Sequence, residues 1–332
     1  MKRIIFAICT LLCANVLLAQ EQLAVLRHND STSVFYGQTA FKQAYNAATH
    51  GDIITLSAGT FTAPSYIRKG ITVRGNGAVG DTARKSFGTY FMQEFDVYYL
   101  GDSLQFSAEG IYFNKFYAQT SYDIKLTRCY IGDFIQNGGV QATNCIMRNY
   151  LHGTSNRNNT YISCVLVSWN SISYNTHRYI TIPYYVTCNN CIILGDYDNN
   201  LGSAEGQFQY NNCIIMKSST SNDTTLYGII NNSVLIGFTG VSHSAASGNV
   251  AMSLSDVFEN SGGASFTDLE KHVLKSSVSD SIQGIDGTEV GIFGGFMPFD
   301  WRPSYNIFKR FNVANRTTAD GKLSVDIEVI SE

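Results

Sequence analysis

Charge is scarce in this chain. Asp, Glu, Lys and Arg make up 15% of its 332 residues, against about 25% in an average soluble domain. The formal net charge of −3 gives no electrostatic pull toward nucleic acid or an anionic membrane, and neither partner is expected. Long apolar runs are equally scarce: past the first twenty residues none is long enough to span a bilayer, which excludes an integral membrane protein. The amphipathic 3.6-residue period of helical or leucine-rich repeats is missing too. No histidine pair stands at metal-ligand spacing, and the one Cys-x-x-C, Cys188 to Cys191, has no second copy to complete a zinc site. No metal site and no cofactor are expected.

The one apolar run is at the start. Met1-Lys2-Arg3 precedes Ile4 to Ala19, and Gln20-Glu21-Gln22 follows. A basic head, a short apolar stretch and a small terminal residue are the parts of a secretory signal, so residues 1–19 are expected to be removed after Ala19. Neither Cys9 nor Cys13 follows the small residue that a lipid-attachment site requires. The expected location is outside the cytoplasm: periplasm, cell surface or medium.

What the chain has in abundance is ring and repeat. Tyr and Phe number twenty each, which favours sheet over helix. Thr127-Arg128-Cys129-Tyr130-Ile131, Thr143-Asn144-Cys145-Ile146-Met147, Ile162-Ser163-Cys164-Val165-Leu166, Asn189-Asn190-Cys191-Ile192-Ile193, Asn211-Asn212-Cys213-Ile214-Ile215 and Asn231-Asn232-Ser233-Val234-Leu235 share one register, with spacings of 16, 19, 27, 22 and 20 residues. Each unit is a few β-favouring residues closed by polar turn residues, the signature of a β-solenoid coil. Stacked coils put like on like about 4.8 Å apart, so the Cys residues are expected to form a buried column and the Asn residues a hydrogen-bonded ladder.

Upstream, Ala40 to Ala48 has apolar residues at helical spacing, followed by Gly51-Asp52-Ile53-Ile54-Thr55-Leu56-Ser57-Ala58-Gly59-Thr60-Phe61 and Ile67-Arg68-Lys69-Gly70-Ile71-Thr72-Val73-Arg74-Gly75-Asn76-Gly77. This helix and these two segments resemble the cap and first coils of the pectin-lyase-like right-handed β-helix superfamily, and with the repeats the resemblance covers about Phe41 to Phe238. It implies an all-β fold: a single-stranded right-handed parallel β-helix with a short N-terminal cap helix. The strict alternation Leu323 to Val329 reads as an antiparallel strand, paired with Asn306 to Val313. This tail resembles the ends of exported bacterial β-helix proteins. The expected divisions are 20–50 for the N-terminal segment and cap helix, 51–290 for the β-helix and 291–332 for a C-terminal capping tail.

Five of the six cysteines beyond the signal, Cys129, Cys145, Cys164, Cys191 and Cys213, share the repeat register, and all six are expected to be reduced. The residue after each repeat Cys, as in Ile146, Val165, Ile192, Ile214 and Val234, should point outward as an apolar stripe needing a cover. Local loops, the tail or a second copy of the chain could supply it.

Function is written less clearly. The resemblance implies binding or cleavage of polysaccharide, a lyase among such proteins needing Ca²⁺ and a basic residue; any Ca²⁺ is tied to that reading alone. The paired-Asp plus Gly-His-Gly pattern of the pectin-hydrolysing branch and the multi-Asp strand of calcium-dependent lyases are both missing here. Asp196 and Asp198 stand in a Gly/Asn loop that is ordinary turn chemistry. Five residues past each repeat Cys stand Phe134, Tyr150, Trp169, Asp196, Ser218 and Phe238, a column that either faces sugar rings or fills the interior. The insertion after Trp169 adds Tyr174, His177, Arg178, Tyr179, Tyr184 and Tyr185, and an enlarged coil must project as a loop. The glycan-binding candidates are therefore Tyr150, Trp169, Tyr174, His177, Arg178, Tyr179, Asp196 and Asp198. The leading expectation is a glycan-binding groove; a polysaccharide lyase or hydrolase with an atypical site, and a structural or adhesive solenoid, are the alternatives.

Overall fold

The computed structural model of the protein describes residues 22–79, 88–98, 100, 104–119, 124–136, 138–148, 150–152, 158–167, 170–171, 186–195, 208–217, 225–238, 240–242, 247–259, 272–300, 307–313 and 325–330. The chain divides into two compact units, Met1–Trp301 and Arg302–Glu332. The first opens on a hairpin of β1 (Leu23–His28) and β2 (Ser31–Tyr36), followed by the cap helix Ala40–Ala47. The next strands are β3 (Ile53–Leu56), β4 (Gly59–Thr60), β5 (Thr72–Arg74), β6 (Thr89–Tyr98), β7 (Phe106–Glu109), β8 (Tyr112–Gln119), β9 (Ile124–Thr127), β10 (Tyr130–Gln136), β11 (Val140–Thr143), β12 (Ile146–Met147), β13 (Tyr150–His152), β14 (Asn159–Ile162), β15 (Val165–Val167) and β16 (Asn170–Ser171). They continue as β17 (Val186–Asn189), β18 (Ile192–Gly195), β19 (Phe208–Asn211), β20 (Ile214–Lys217), β21 (Thr225–Tyr227), β22 (Ile229–Asn231), β23 (Val234–Ile236), β24 (Gly240–Ser242) and β25 (Val250–Met252).

Two long sheets result. Sheet A runs β2-β1-β3-β5-β7-β9-β11-β14-β17-β19-β22, and sheet B runs from β4 through β6, β8, β10, β12, β15, β18, β20 and β23 to β25. Apart from the antiparallel joins of β1 to β2 and β3, the pairing in both is parallel, the arrangement of a parallel β-helix; right-handed is the rule for parallel crossovers. The residues after the repeat cysteines pair in the expected register, Tyr130 with Ile146, Ile146 with Val165, Val165 with Ile192, Ile192 with Ile214 and Ile214 with Val234. No helix among the described residues is long and apolar enough to cross a membrane.

The bend between the sheets explains the repeat. Arg128, Asn144, Ser163, Asn190, Asn212 and Asn232, each immediately before the Cys position, hold φ between 47° and 56°, a left-handed conformation that Asn tolerates better than most residues. The bend turns the next N–H away from the strand ladder, and the following coil accepts it with a side chain. Cys129 N donates to Cys145 Sγ at 3.4 Å, Cys145 N to Cys164 Sγ at 3.5 Å and Cys191 N to Cys213 Sγ at 3.5 Å. Further along, Cys213 N donates to Ser233 Oγ and Ser233 N to Asn249 Oδ1, both at 3.0 Å. Cys, Ser and Asn alternate at this position because each presents an acceptor at the right reach. The six cysteines are buried and free, and burial pushes the thiols of Cys129, Cys145, Cys164, Cys188 and Cys191 up, which disfavours their thiolates.

The repeat asparagines divide into two kinds. The first of each pair forms the expected ladder: Asn211 Nδ2 donates to Asn189 Oδ1 at 2.9 Å and Asn231 Nδ2 to Asn211 Oδ1 at 3.1 Å. The second, in the bend, points outward and holds a strap. After β25 the chain leaves the parallel ladder, and residues 254–259 and 272–300 lie along the outside of sheet B. Asn232 Nδ2 donates to Gln283 O, Ile285 N to Asn212 Oδ1, Asn190 Nδ2 to Glu289 O and Asn144 Nδ2 to Pro298 O. The strap's Val257, Phe258, Val278, Val290 and Ile292 close a second core over the outward stripe, where Val165, Ile192, Ile214 and Val234 are 0% exposed. The cover comes from this chain itself. Inside the bore, Phe91 stacks on Phe113 at 5.6 Å and Phe95 on Phe116 at 5.7 Å, and Phe41 of the cap helix meets Phe91 edge-on, closing the open end. The second unit contains β26 (Ile307–Val313) antiparallel to β27 (Val325–Ile330), the strand pair read from the alternation.

Candidate functional site: the uncovered face of sheet B

The strap's described clamps begin at Asn144, so the outer face of β6, β8 and β10 lies ahead of them. Four columns cross it. In the column that later becomes the apolar stripe stand Tyr90, Tyr112 and Tyr130, paired in register. Their ring centroids are 5.6 and 5.0 Å apart, and Tyr112 and Tyr130 are stacked at 14°. Rings that spend their faces on one another offer a ligand mainly edges and hydroxyls. Arg148 Nη1 donates to the Tyr130 hydroxyl at 3.3 Å, and burial, with Tyr130 beside it, raises the Tyr112 hydroxyl pKa.

The next column is charged: Glu94, Lys115 and Asp133 pair in register. Lys115 Nζ lies 3.6 Å from Glu94 Oε2 and 4.7 Å from the centre of the Tyr117 ring. The backbones of β8 and β10 approach closely here. Gly132 permits this approach, because a Cβ there would sit 2.6 Å from the Asn114 carbonyl oxygen. In the third column Asp96 pairs with Tyr117. Asp96 is only 4% exposed; Gln119 Nε2 donates to its Oδ2 at 3.0 Å, while Oδ1 has no hydrogen-bond partner among the described residues. Burial, with the Glu94 charge nearby, pushes the Asp96 carboxyl up to about 6.

The fourth column is the most open. Tyr98 pairs with Gln119, and Ile67 bridges to Val97 with both side chains fully buried. Strand alternation then sets Tyr66 and Arg68 on the outer face. Residues Tyr66 and Tyr98 are 48% and 39% exposed, their ring centroids 5.3 Å apart at 50°, and the Arg68 guanidinium carbon lies 5.3 Å from each centroid. Two accessible ring surfaces and a cation whose N–H groups have no partner among the described residues can take an apolar sugar face and its hydroxyls together.

The residues singled out from the sequence fall elsewhere. Trp169, Tyr174, His177, Arg178, Tyr179, Asp196 and Asp198 lie outside the described residues, and of Tyr150 only the backbone is described, in register with Phe134 on β13. The described members of that aromatic column are interior: Phe134 is 0% and Phe238 6% exposed, both in the main core. Sequence reading missed Tyr66, Arg68 and Tyr98 because they precede the first repeat Cys, where nothing fixes the register. The available signal was the aromatic-rich strand ending at Tyr98. Among the described residues no group of three or more His, Cys, Asp or Glu is placed to hold a metal ion. A second polar cluster, His28 Nδ1 at 2.8 Å from Asp52 Oδ1 with Thr49 N donating to Asp52 Oδ2, ties β1 to the end of the cap helix and is structural. No family model and no curated protein matches the chain.

Proposed function

We propose that the protein is an exported β-helix of the pectin-lyase-like kind that binds glycan on the uncovered face of sheet B. The observation that carries this reading is the Tyr66–Arg68–Tyr98 cluster, exposed aromatic surface flanked by Gln119, Lys115 and Glu94. The signal-like N-terminus supports export to the periplasm, the cell surface or the medium. The Trp169 insertion, outside the described residues, stays within the proposal as a second group of candidate ligand contacts. Cleavage is the alternative reading, favoured by one feature: two carboxylates, Glu94 and Asp96, near Lys115, with the Asp96 carboxyl raised toward neutrality. Binding is preferred because Asp96 is covered and does not face a substrate.

Affinity electrophoresis through gels cast with neutral and acidic polysaccharides tests the proposal. Tyr98→Ala or Tyr66→Ala should weaken retention by roughly fivefold, about 1 kcal/mol, the scale of one aromatic contact, with the melting temperature unchanged. Trp169→Ala and Tyr179→Ala test the insertion in the same gels. Absence of retention on every polysaccharide, or retention indifferent to all four variants, overturns the reading; reducing ends accumulating with wild type but not Lys115→Ala would replace binding by cleavage.

A further inference from the structure

β2 ends sheet A, with β1 as its neighbour on one side and nothing described on the other. Its six residues, Ser31-Thr32-Ser33-Val34-Phe35-Tyr36, are exposed except Phe35, with Val34 at 43% and Tyr36 at 58% exposure. Natural edge strands are normally blunted by lysine, proline, a bulge or a covering loop. β2 contains no charged residue, no proline and no glycine, and it pairs with β1 in six consecutive positions without a register shift.

The direction of its unused hydrogen bonds can be read off. Gly37 N donates to Gln22 O, and bonded pairs alternate in an antiparallel ladder, so Phe35, Ser33 and Ser31 spend their backbone groups on β1. Thr32, Val34 and Tyr36 therefore turn theirs to the open edge. We propose that the protein pairs with a second copy of itself through β2, edge to edge and antiparallel, about a two-fold axis at Val34. A two-fold axis through a pair of edge strands keeps each residue on its own face of the sheet, so even-numbered residues must oppose even-numbered ones. Centring on Val34 sets Val34 against Val34 of the second copy and Thr32 against its Tyr36, engages all three outward residues and forms about six backbone hydrogen bonds. Centring on Ser33 would form about four and leave Tyr36 opposite Asp30. In the Val34 register small hydroxyl residues meet bulky ones, Thr32 with Tyr36 and Ser33 with Phe35, and no like charges face each other. A partner strand from an unrelated protein would need that same size pattern; a second copy has it by symmetry.

Sedimentation velocity of the purified protein over a concentration series tests the proposal, with Val34→Lys and Val34→Pro as variants. The proline removes an outward N–H and no bond to β1, so it blocks the edge without opening the hairpin, and circular dichroism checks that both variants stay folded. The expected result is a dimer for wild type and monomers for both variants. Under mild oxidation Val34→Cys should link two chains efficiently and Ser33→Cys should not, the six described native thiols being buried. A wild-type protein that stays monomeric at its highest soluble concentration overturns the proposal and leaves the edge to a strand of another protein. So does a dimer unaffected by either variant, or equal cross-linking at positions 33 and 34.

Discussion

One column of sheet B is built in two ways. In the early coils it reads Tyr90, Tyr112, Tyr130; in the later ones it reads Ile146, Val165, Ile192, Ile214, Val234, in the same register and facing the same way. The tyrosines shield one another ring against ring and are only partly buried, their hydroxyls meeting polar groups such as Gly88 N and Arg148, with Tyr130 also touching the edge of the strap's core. The aliphatic residues have no such recourse and are sealed by the strap's own apolar side chains, Val257, Phe258, Val278, Val290 and Ile292 among them. The lesson is that side-chain choice along one column decides which part of a solenoid stays open to a ligand and which is closed by the chain itself.

The contrast is broken most directly by a charge at equivalent positions. Ile214→Asp places an unpaired carboxylate between sheet and strap and should cost about 4 kcal/mol or more, enough to prevent folding at ordinary temperature; Tyr112→Asp, its counterpart on the open side, should cost about 1 kcal/mol. Urea unfolding of both compares them, and equal losses would erase the distinction. A smaller effect is expected at the bends. Asn212→Gly keeps the left-handed conformation but loses the bond from Ile285 N, a loss of about 1–2 kcal/mol. Arg128→Gly, at the same bend ahead of the strap's clamps, gives up a part-exposed contact to Glu109 and relieves the left-handed strain, so its stability should change by less than about 0.5 kcal/mol.

The remaining effect concerns Asp96 and depends on pH. Its folded carboxyl titrates near 6, above the ordinary value of 3.8, so the folded chain holds more protons than the unfolded one between those values. Wild-type stability should therefore rise as pH falls from above 6 toward 3.8. Asp96→Asn, with no charge to bury, should be more stable than wild type by about 1 kcal/mol at pH 8 and indistinguishable from it below pH 4, once the partial solvent screening of this face is allowed for. Thermal melts across pH check this; an advantage that does not shrink on acidification contradicts the assignment.

Most of the fold was legible because it repeats. The Cys positions fixed the coil register, the alternation in Leu323 to Val329 fixed the terminal strand pair, and the stripe after each Cys announced its need for a cover. The strap itself was not legible: it has neither a period of two nor one of 3.6, so nothing in its sequence announced that the last parallel strand among the described residues is β25. The two asparagines of each repeat look alike in sequence, and only backbone conformation separates the ladder at Asn189, Asn211 and Asn231 from the clamps at Asn190, Asn212 and Asn232. The thiols were read as small hydrophobes, and their service as acceptors shows only in where the bend aims each N–H. On the candidate site the sequence pointed to the Trp169 insertion and was silent about Tyr66 and Tyr98, since aromatic residues before the first repeat carry no mark of the face they take.

The asparagine clamps also bear on how the molecule comes apart. A plain stack of coils touches only nearest neighbours, so its unfolding is a one-dimensional process that starts at an end and travels. The strap's bonds to Asn144, Asn190, Asn212 and Asn232 tie distant coils to one lengthwise segment. No coil between them can fray without lifting the strap from the others. That turns the later half of a linear polymer of repeats into a single cooperative block, while the earlier half, which carries the proposed binding face, keeps the independent, step-by-step give of an ordinary solenoid.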